Sequence, residues 1–132
     1  MDTHEQIAYW HRSALRDWEA AGDLFGSGRN MHALFFAHLA VEKLLKAHWV
    51  NENPGALPPR THNLGIIAER LRVKLPSQFK DELQVITTWN MEARYQDYKD
   101  RFYRLCTVEY TSRKMSIVEE LLQWLTEALR ST

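Results

Sequence analysis

A cluster of tyrosine and charged residues between positions 94 and 110 is the part of the sequence best suited to chemistry. Four of the five tyrosines of the chain lie there, interleaved with arginine, lysine and acidic residues. Aromatic faces next to guanidinium groups suit stacked bases and phosphates. The same composition also suits a charged, partly helical connection whose aromatic side chains cover the core, and composition alone favours this second interpretation.

Asn90 and Arg94 stand at the start of this cluster, four positions apart. On a continuous helix both side chains point the same way, so Asn90 can orient the guanidinium. An arginine held in this way is a good phosphate ligand, although the spacing is also common on protein surfaces. We therefore predict a nucleotide- or phosphate-binding site with the candidate residues Asn90, Arg94, Tyr95, Asp97, Lys99 and Arg101.

The histidines are the residues that could bind a metal ion. All six are scattered, and we interpret them as ordinary surface or packing residues. They lack the spacing of a helical zinc site, so we predict neither a metal site nor a cofactor. We interpret His62, which follows Thr61 at a helix start, as a structural residue whose ring pins the preceding Pro-rich connector. No glycine-rich phosphate loop or serine elbow is present, so the residues do not compose a recognisable enzyme.

Charge and composition narrow the function classes further. The chain has 17 basic and 17 acidic residues, so a uniformly basic nucleic-acid coat is excluded and an anion site must be a local patch. The single cysteine, Cys106, excludes an internal disulfide and predicts a small buried side chain in a reducing compartment. No apolar run is long enough to span a bilayer, and the polar start predicts no signal peptide. We expect a cytoplasmic protein without a membrane partner.

Helical periodicity runs through nearly the whole chain of 132 residues, which predicts one domain over 1–132. Prolines exclude a helix in the connector 53–60. Thr61 and Ser77 are the predicted N-caps of the two helices that follow it. No alternating strand pattern occurs. We predict an all-α, up-and-down bundle of four long helices plus a short helix, with helices near 4–25, 30–51, 63–73 (short), from Ser77 through Asn90, and from 107–110 to 129.

The second helix is apolar nearly all the way round, which a helix covered on one side does not need. It is therefore either the central helix of the bundle or a helix that packs one face inside and another on a second subunit. Glu42 and Lys46 can form an i,i+4 pair on what remains polar.

Several motifs together resemble the HEPN domain family. The segment Ala14–Val50 contains an acidic residue in the first helix, a short glycine break and an apolar helix that ends in Glu42-Lys43-x-x-Lys46-Ala47. A Pro-containing connector then leads to Thr61-His62-Asn63-Leu64, and Arg94-Tyr95-Gln96-Asp97 follows the fourth helix. Each motif is weak alone, but they cover nearly the whole chain in the order and spacing of the family.

The resemblance implies a divided set of activities. Many members are ribonucleases whose site is an arginine followed, after four to six residues, by a histidine, supplied by both subunits of a dimer. This chain has Arg94, but the positions of the histidine hold Lys99, Asp100 and Arg101, and no histidine follows His62. Lysine is a poor general base at neutral pH. Arg94 is thus the one candidate catalytic residue, and we lean towards a protein that is not an enzyme.

Members with an Arg-Tyr-Pro-Asp-like motif are commonly encoded beside a minimal nucleotidyltransferase, in a toxin–antitoxin-like pair. In some pairs the transferase adenylylates a tyrosine, for which Tyr95, Tyr98 and Tyr103 are the candidates here. The resemblance therefore predicts a homodimeric HEPN protein that binds a nucleotide or RNA phosphate and acts with such a partner. The alternatives are a toxin-type endoribonuclease with a degenerate motif, which would need no metal, and a non-catalytic dimeric scaffold.

Overall fold

A computed structural model describes residues 1–95 and 97–131 of the chain. All regular structure in these residues is helical, which confirms the predicted all-α bundle of four long helices. A second short helix, α5, was not predicted. The helices are α1 (Thr3–Gly26), α2 (Asn30–Glu52), α3 (Leu64–Glu69), α4 (Ser77–Arg94), α5 (Arg101–Leu105) and α6 (Val108–Ser131).

The central helix of the bundle is α2, which packs against α1, α4 and α6 and against both short helices. Its buried residues lie on all sides, from Ala33 near the start to Val50 near the end. This position explains the all-round apolar sequence through contacts within one chain. The first of the two predicted alternatives is therefore sufficient, and the composition of α2 no longer argues for a second subunit.

The connector between α2 and α3 has no helix, as its prolines require. The predicted cap of α3, Thr61, is wrong: the side chain of Asn63 accepts the hydrogen bond from the Ile66 N–H at 3.2 Å. Thr61 instead accepts from the Asn63 N–H at 3.1 Å and so shapes the turn before the helix. The predicted cap Ser77 is also wrong, because it is the first residue of α4, and that helix start has no side-chain cap.

Glu52, the last residue of α2, determines where α3 ends. Its two carboxylate oxygens accept hydrogen bonds from the backbone N–H groups of Arg72, at 2.6 Å, and Val73, at 3.1 Å. The Arg72 guanidinium also donates to the Glu52 carbonyl at 3.3 Å. Because these N–H groups point to Glu52, they do not extend α3 to Val73 as predicted, and the helix ends at Glu69.

The core lies between α2 and the helices around it, and Leu45, Leu64, Trp89 and Leu121 are among its fully buried large side chains. Cys106 is also buried, as predicted. Within the residues that the structure describes, no helix is both long enough and apolar enough to cross a membrane.

Candidate functional site

Arg94 is the last residue of α4, and its guanidinium is held by its own helix. Its Nε donates to the backbone carbonyl of Asn90 at 3.2 Å, and its charge lies 5.7 Å from the centre of the Tyr95 ring. Over the described ranges 1–95 and 97–131, no carboxylate lies within ion-pair distance of Arg94. Among the described residues, the exposed guanidinium meets a hydrogen-bond acceptor only through Nε, so an external anion can approach its two terminal nitrogens.

Asn90 does orient Arg94, but with its backbone carbonyl and not with the predicted side chain. The Asn90 side chain points inward, and the residue is only 3% exposed. Its amide nitrogen lies 3.5 Å from Nδ1 of His38 on α2. This placement makes Asn90 a residue that positions its neighbours, and its role as a direct phosphate ligand stays a prediction.

His38 is fully buried between α2, α4 and the end of the connector. Its Nε2 lies 2.9 Å from the backbone carbonyl of His62. Since a carbonyl only accepts, Nε2 carries the proton and Nδ1 is the acceptor that faces the Asn90 amide. Burial is the main cause that lowers the pKa of His38. The hydrogen bond to the His62 carbonyl and the charge of Glu42 raise this pKa, and the charges of His62 and Arg94 lower it, so that the net shift is downward. His38 is thus a neutral link between the Arg94 end of α4 and His62.

His62 and Glu42 form the other end of this arrangement. Nδ1 of His62 lies 2.7 Å from one carboxylate oxygen of Glu42, and Lys46 donates to the other oxygen at 3.1 Å. The Glu42 side chain is 6% exposed, whereas the His62 side chain is 55% exposed. The predicted Glu42–Lys46 pair is present, but its acid is buried and does not lie on an exposed polar face. We call the connected set the polar chain: Arg94, Asn90, His38, His62, Glu42 and Lys46.

The sequence pattern does not join the members of the polar chain. It indicates packing and structural roles for His38 and His62, and His62 does pin the connector as expected. One signal was available, because His38 and Glu42 lie four positions apart in a helix that is otherwise apolar all round. Two polar residues on one face of such a helix need partners, since a buried polar group without a hydrogen bond is costly.

A groove between α4 and α5 collects three of the other predicted residues. Tyr95, Asp97 and Arg101 line it beside Met91 and Leu105, and its volume is about 570 Å³. Arg94 is not in its lining. The predicted site is therefore divided between the Arg94 end of the polar chain and this aromatic groove on the neighbouring face of α4.

Asp97 shapes the turn that leads into α5. Its carboxylate accepts from the Lys99 N–H at 3.0 Å and from the Arg101 N–H at 2.9 Å. The hydrogen bond from Arg101, followed by that from Lys99, lowers the pKa of Asp97. The side chains of Lys99 and Arg101 are exposed around this turn. Gln96, the third residue of the Arg-Tyr motif, lies outside the described residues.

The three tyrosines predicted as modification sites are all exposed, but they point to different places. Tyr95 lines the groove between α4 and α5. Tyr98 is 94% exposed in the turn before α5. Tyr103 lines a separate pocket at the start of α2, together with Arg29 and Arg104. In the described residues, no group of three or more His, Cys, Asp or Glu side chains is arranged to hold a metal ion.

Comparison with known proteins identifies the class of this bundle. The family model of the HEPN domain matches residues 7–129. The chain therefore belongs to the HEPN domain family. No curated protein matches the chain.

A solved structure shows the same fold. The crystal structure of TT1696 from Thermus thermophilus superposes with a TM-score of 0.78, over 92% of this chain and 97% of that one. The two sequences are 19% identical, so the likeness is one of fold.

Proposed function

We propose that this HEPN protein binds a phosphate group of a nucleotide or of RNA at Arg94. The supporting observation is an exposed guanidinium that is fixed through its Nε and lacks a carboxylate partner among the described residues. An arginine fork of this kind matches two phosphate oxygens at once. A flexible surface arginine would lose more side-chain entropy on binding than one that is already held.

The groove beside Arg94 is the proposed place for a base. Tyr95 and the apolar side chains of Met91 and Leu105 offer a stacking surface, and base stacking on an aromatic ring contributes about 1–3 kcal/mol. Asp97 and Glu92 make the groove itself unsuited to a phosphate, so the phosphate belongs at Arg94. In this proposal, the face of the last turn of α4 that carries Arg94 binds the phosphate, and the neighbouring face that lines the groove binds the base.

The partners follow from the family resemblance and remain part of the proposal. We propose a homodimer, because the family resemblance implies a site supplied by both subunits. We propose a minimal nucleotidyltransferase as the second partner, in a toxin–antitoxin-like pair. The exposure of Tyr95, Tyr98 and Tyr103 makes each of them accessible to such an enzyme.

Anisotropy of a fluorescently labelled oligoribonucleotide and of labelled ATP tests the phosphate site. Arg94→Ala should weaken binding by about 10- to 150-fold, the equivalent of 1.5–3 kcal/mol for hydrogen bonds to a charged group. Arg94→Lys keeps the charge but not the two-pronged guanidinium, so its affinity should lie between those of the wild type and Arg94→Ala. Arg16→Ala, an exposed arginine on α1, is the matched control. Equal affinity in the wild type and Arg94→Ala would remove Arg94 from the function and favour the scaffold alternative.

Light scattering tests the proposed dimer at micromolar concentration. The dimer predicts twice the chain mass of 15.6 kDa. A monomer mass at that concentration contradicts the dimer but leaves the phosphate site standing.

A further inference from the structure

The pocket at the start of α2 collects basic side chains from two separate parts of the chain. Arg29 comes from the turn between α1 and α2, and Arg104 comes from α5. His32 and Tyr103 also line this pocket, whose volume is about 330 Å³, and we call it the basic pocket. We infer that the basic pocket is a second anion site, which binds a phosphate group between Arg29 and Arg104. It goes beyond the proposed function, because Arg94 is not part of this pocket.

Neither arginine of the basic pocket is neutralised by an acid of its own chain. In the part of the chain that the structure describes, no carboxylate lies within ion-pair distance of Arg29 or Arg104, and no Asp or Glu lines the pocket. Asp97 is not a partner of Arg104: its pKa is lowered chiefly by the hydrogen bonds from Arg101 and Lys99, and the charge of Arg104 is the smallest cause. Two guanidinium groups that share one pocket repel each other, and an anion between them removes this repulsion.

The backbone that carries the two arginines is fixed on both sides of the pocket. The Asn30 side-chain amide donates to the Cys106 carbonyl at 3.0 Å, which joins the start of α2 to the end of α5. The Arg29 N–H donates to a carbonyl near the end of α1 at 2.8 Å. On the other wall, Arg104 belongs to α5, which buries Phe102. The two walls therefore keep their places before a ligand binds, so less conformational entropy is lost on binding.

The other groups at the basic pocket are mostly hydrogen-bond donors. The Tyr103 hydroxyl can donate, and the side chain is exposed. The start of α2 has no side-chain cap and no acidic residue in its first turn, so its backbone N–H groups add to the attraction of the two arginines. A phosphate matches this arrangement, because its oxygens accept hydrogen bonds from several directions, whereas a carboxylate accepts in one plane.

The phosphate group can come from a free nucleotide or from the backbone of an RNA strand. Helix α5 separates the basic pocket from the groove beside α4, because Tyr103 and Arg104 line the pocket while Arg101 and Leu105 line the groove. This helix has five residues and is about 7.5 Å long at a rise of 1.5 Å per residue. A strand can cross such a short helix and reach both places, whereas a nucleotide bound in the pocket occupies that place alone. Only the strand depends on the proposed function.

Amide NMR spectra of the full chain show where a phosphate binds. The probe is inorganic phosphate, and sodium chloride at equal ionic strength is the reference. The backbone N–H signals of Met31, His32 and Arg104 should shift with phosphate in a saturable way, and chloride should not reproduce these shifts. The Nε–H signal of Arg94 in the same spectra reports the proposed site, so each site is tested by its own signals.

A double variant removes both arginines of the basic pocket. Arg29→Ala/Arg104→Ala should weaken the phosphate binding seen at Met31 by at least about 10-fold, the loss expected for one hydrogen bond between charged groups. Arg12→Ala/Arg16→Ala, which removes two exposed arginines of α1, is the matched control and should keep the wild-type affinity. Circular dichroism checks that both variants are folded. Unchanged phosphate affinity in the folded Arg29→Ala/Arg104→Ala protein overturns the inference.

Two further probes distinguish the sources of the phosphate. ATP that shifts only the signals of the basic pocket identifies a free nucleotide. An oligouridylate without terminal phosphates that shifts both these signals and that of Tyr95 in the groove identifies a strand.

The remaining outcomes separate this site from the proposed one. A shift at Arg94 without a shift at the basic pocket keeps the proposed function and overturns the inference. Shifts at the basic pocket without one at Arg94 keep the inference and remove the phosphate from Arg94. Equal shifts with chloride and phosphate overturn the inference, because they report ionic screening and not a bound phosphate.

Discussion

Replacing Glu42 by glutamine removes one buried charge from the polar chain while leaving its shape almost unchanged. The carboxylate has two close partners, His62 at 2.7 Å and Lys46 at 3.1 Å, and its side chain is 6% exposed. Glutamine can still accept from His62, so the larger loss falls on Lys46, which keeps its charge without an ionic partner. A hydrogen bond to a charged group contributes about 1.5–3 kcal/mol. We expect the free energy of unfolding to fall by about that amount.

Urea denaturation followed by circular dichroism measures this change, provided that the slope with denaturant stays the same in both proteins. A domain of this size has about 5–15 kcal/mol of stability, so the variant remains folded. Glu82→Gln is the matched control, because Glu82 pairs with Lys114 at 3.0 Å but is more exposed. More exposed pairs contribute about 0–1 kcal/mol.

A double-mutant cycle with Lys46→Met isolates the ionic contact. In the Lys46→Met background, the loss caused by Glu42→Gln should shrink by at least about 1 kcal/mol, because the charge pair is already broken. If Glu42→Gln destabilises no more than Glu82→Gln does, Glu42 is not an anchored buried charge, and the reasoning about the polar chain fails with it.

Three further predictions concern the rest of the bundle. Burial lowers the pKa of His48, whose Nε2 donates to the Leu125 carbonyl at 2.8 Å. Below about pH 6.5 the unfolded chain therefore binds the extra proton, and stability falls as the pH falls. His48→Gln should reduce this pH dependence of stability by at most about 1.4 kcal/mol per pH unit. Urea denaturation at pH 7.5 and at pH 5.5 measures the change. Identical pH dependence in the wild type and the variant contradicts the assignment. The second prediction compares two glycines at which an added Cβ meets no atom within 4 Å. Gly28→Ala lowers stability by about 1 kcal/mol, because Gly28 has a φ of 81° that favours glycine. Gly22→Ala inside α1 raises stability by about 0.5–1 kcal/mol, because alanine is the better helix former. Thermal melts check the two signs, and equal signs would refute it. The third is that the Cys106 thiol, whose pKa burial raises to about 11, reacts with iodoacetamide at pH 8 roughly 100-fold more slowly in the folded protein than in urea. Similar rates measured by mass spectrometry would contradict its burial.

The long helices could be predicted from the sequence because each has an apolar pattern of helical period over many turns. The shorter features depended on contacts between distant residues. Helix α5 has too few residues to show a period, and it buries Phe102 where the turn shaped by Asp97 ends. The end of α3 depended on Glu52, which lies near in space but not in sequence.

In the candidate site, too, the features within one helix could be predicted from the sequence, whereas the contacts between distant residues could not. Asn90 and Arg94 were found because both lie on one helix, where spacing determines direction. Which atom of Asn90 meets Arg94 depended on His38, which attracts the Asn90 amide inward. The contact between His62 and Glu42 joins an irregular connector to a helix, and no local pattern describes the distance between them. Their pairing appeared only once α2 was packed at the centre of the bundle.

Both ends of the Pro-rich connector are anchored to α2. It begins directly after Glu52, the last residue of that helix, and it ends at His62, whose ring contacts the Glu42 carboxylate. Between these two ends, Gly55 and Leu57 are exposed, and no core contact depends on them. The ends of the loop therefore stay in place whatever its length, and lengthening a loop whose ends are fixed is inexpensive. This makes residues 55–57 the point at which a peptide tag or a reporter can be inserted without disturbing the polar chain.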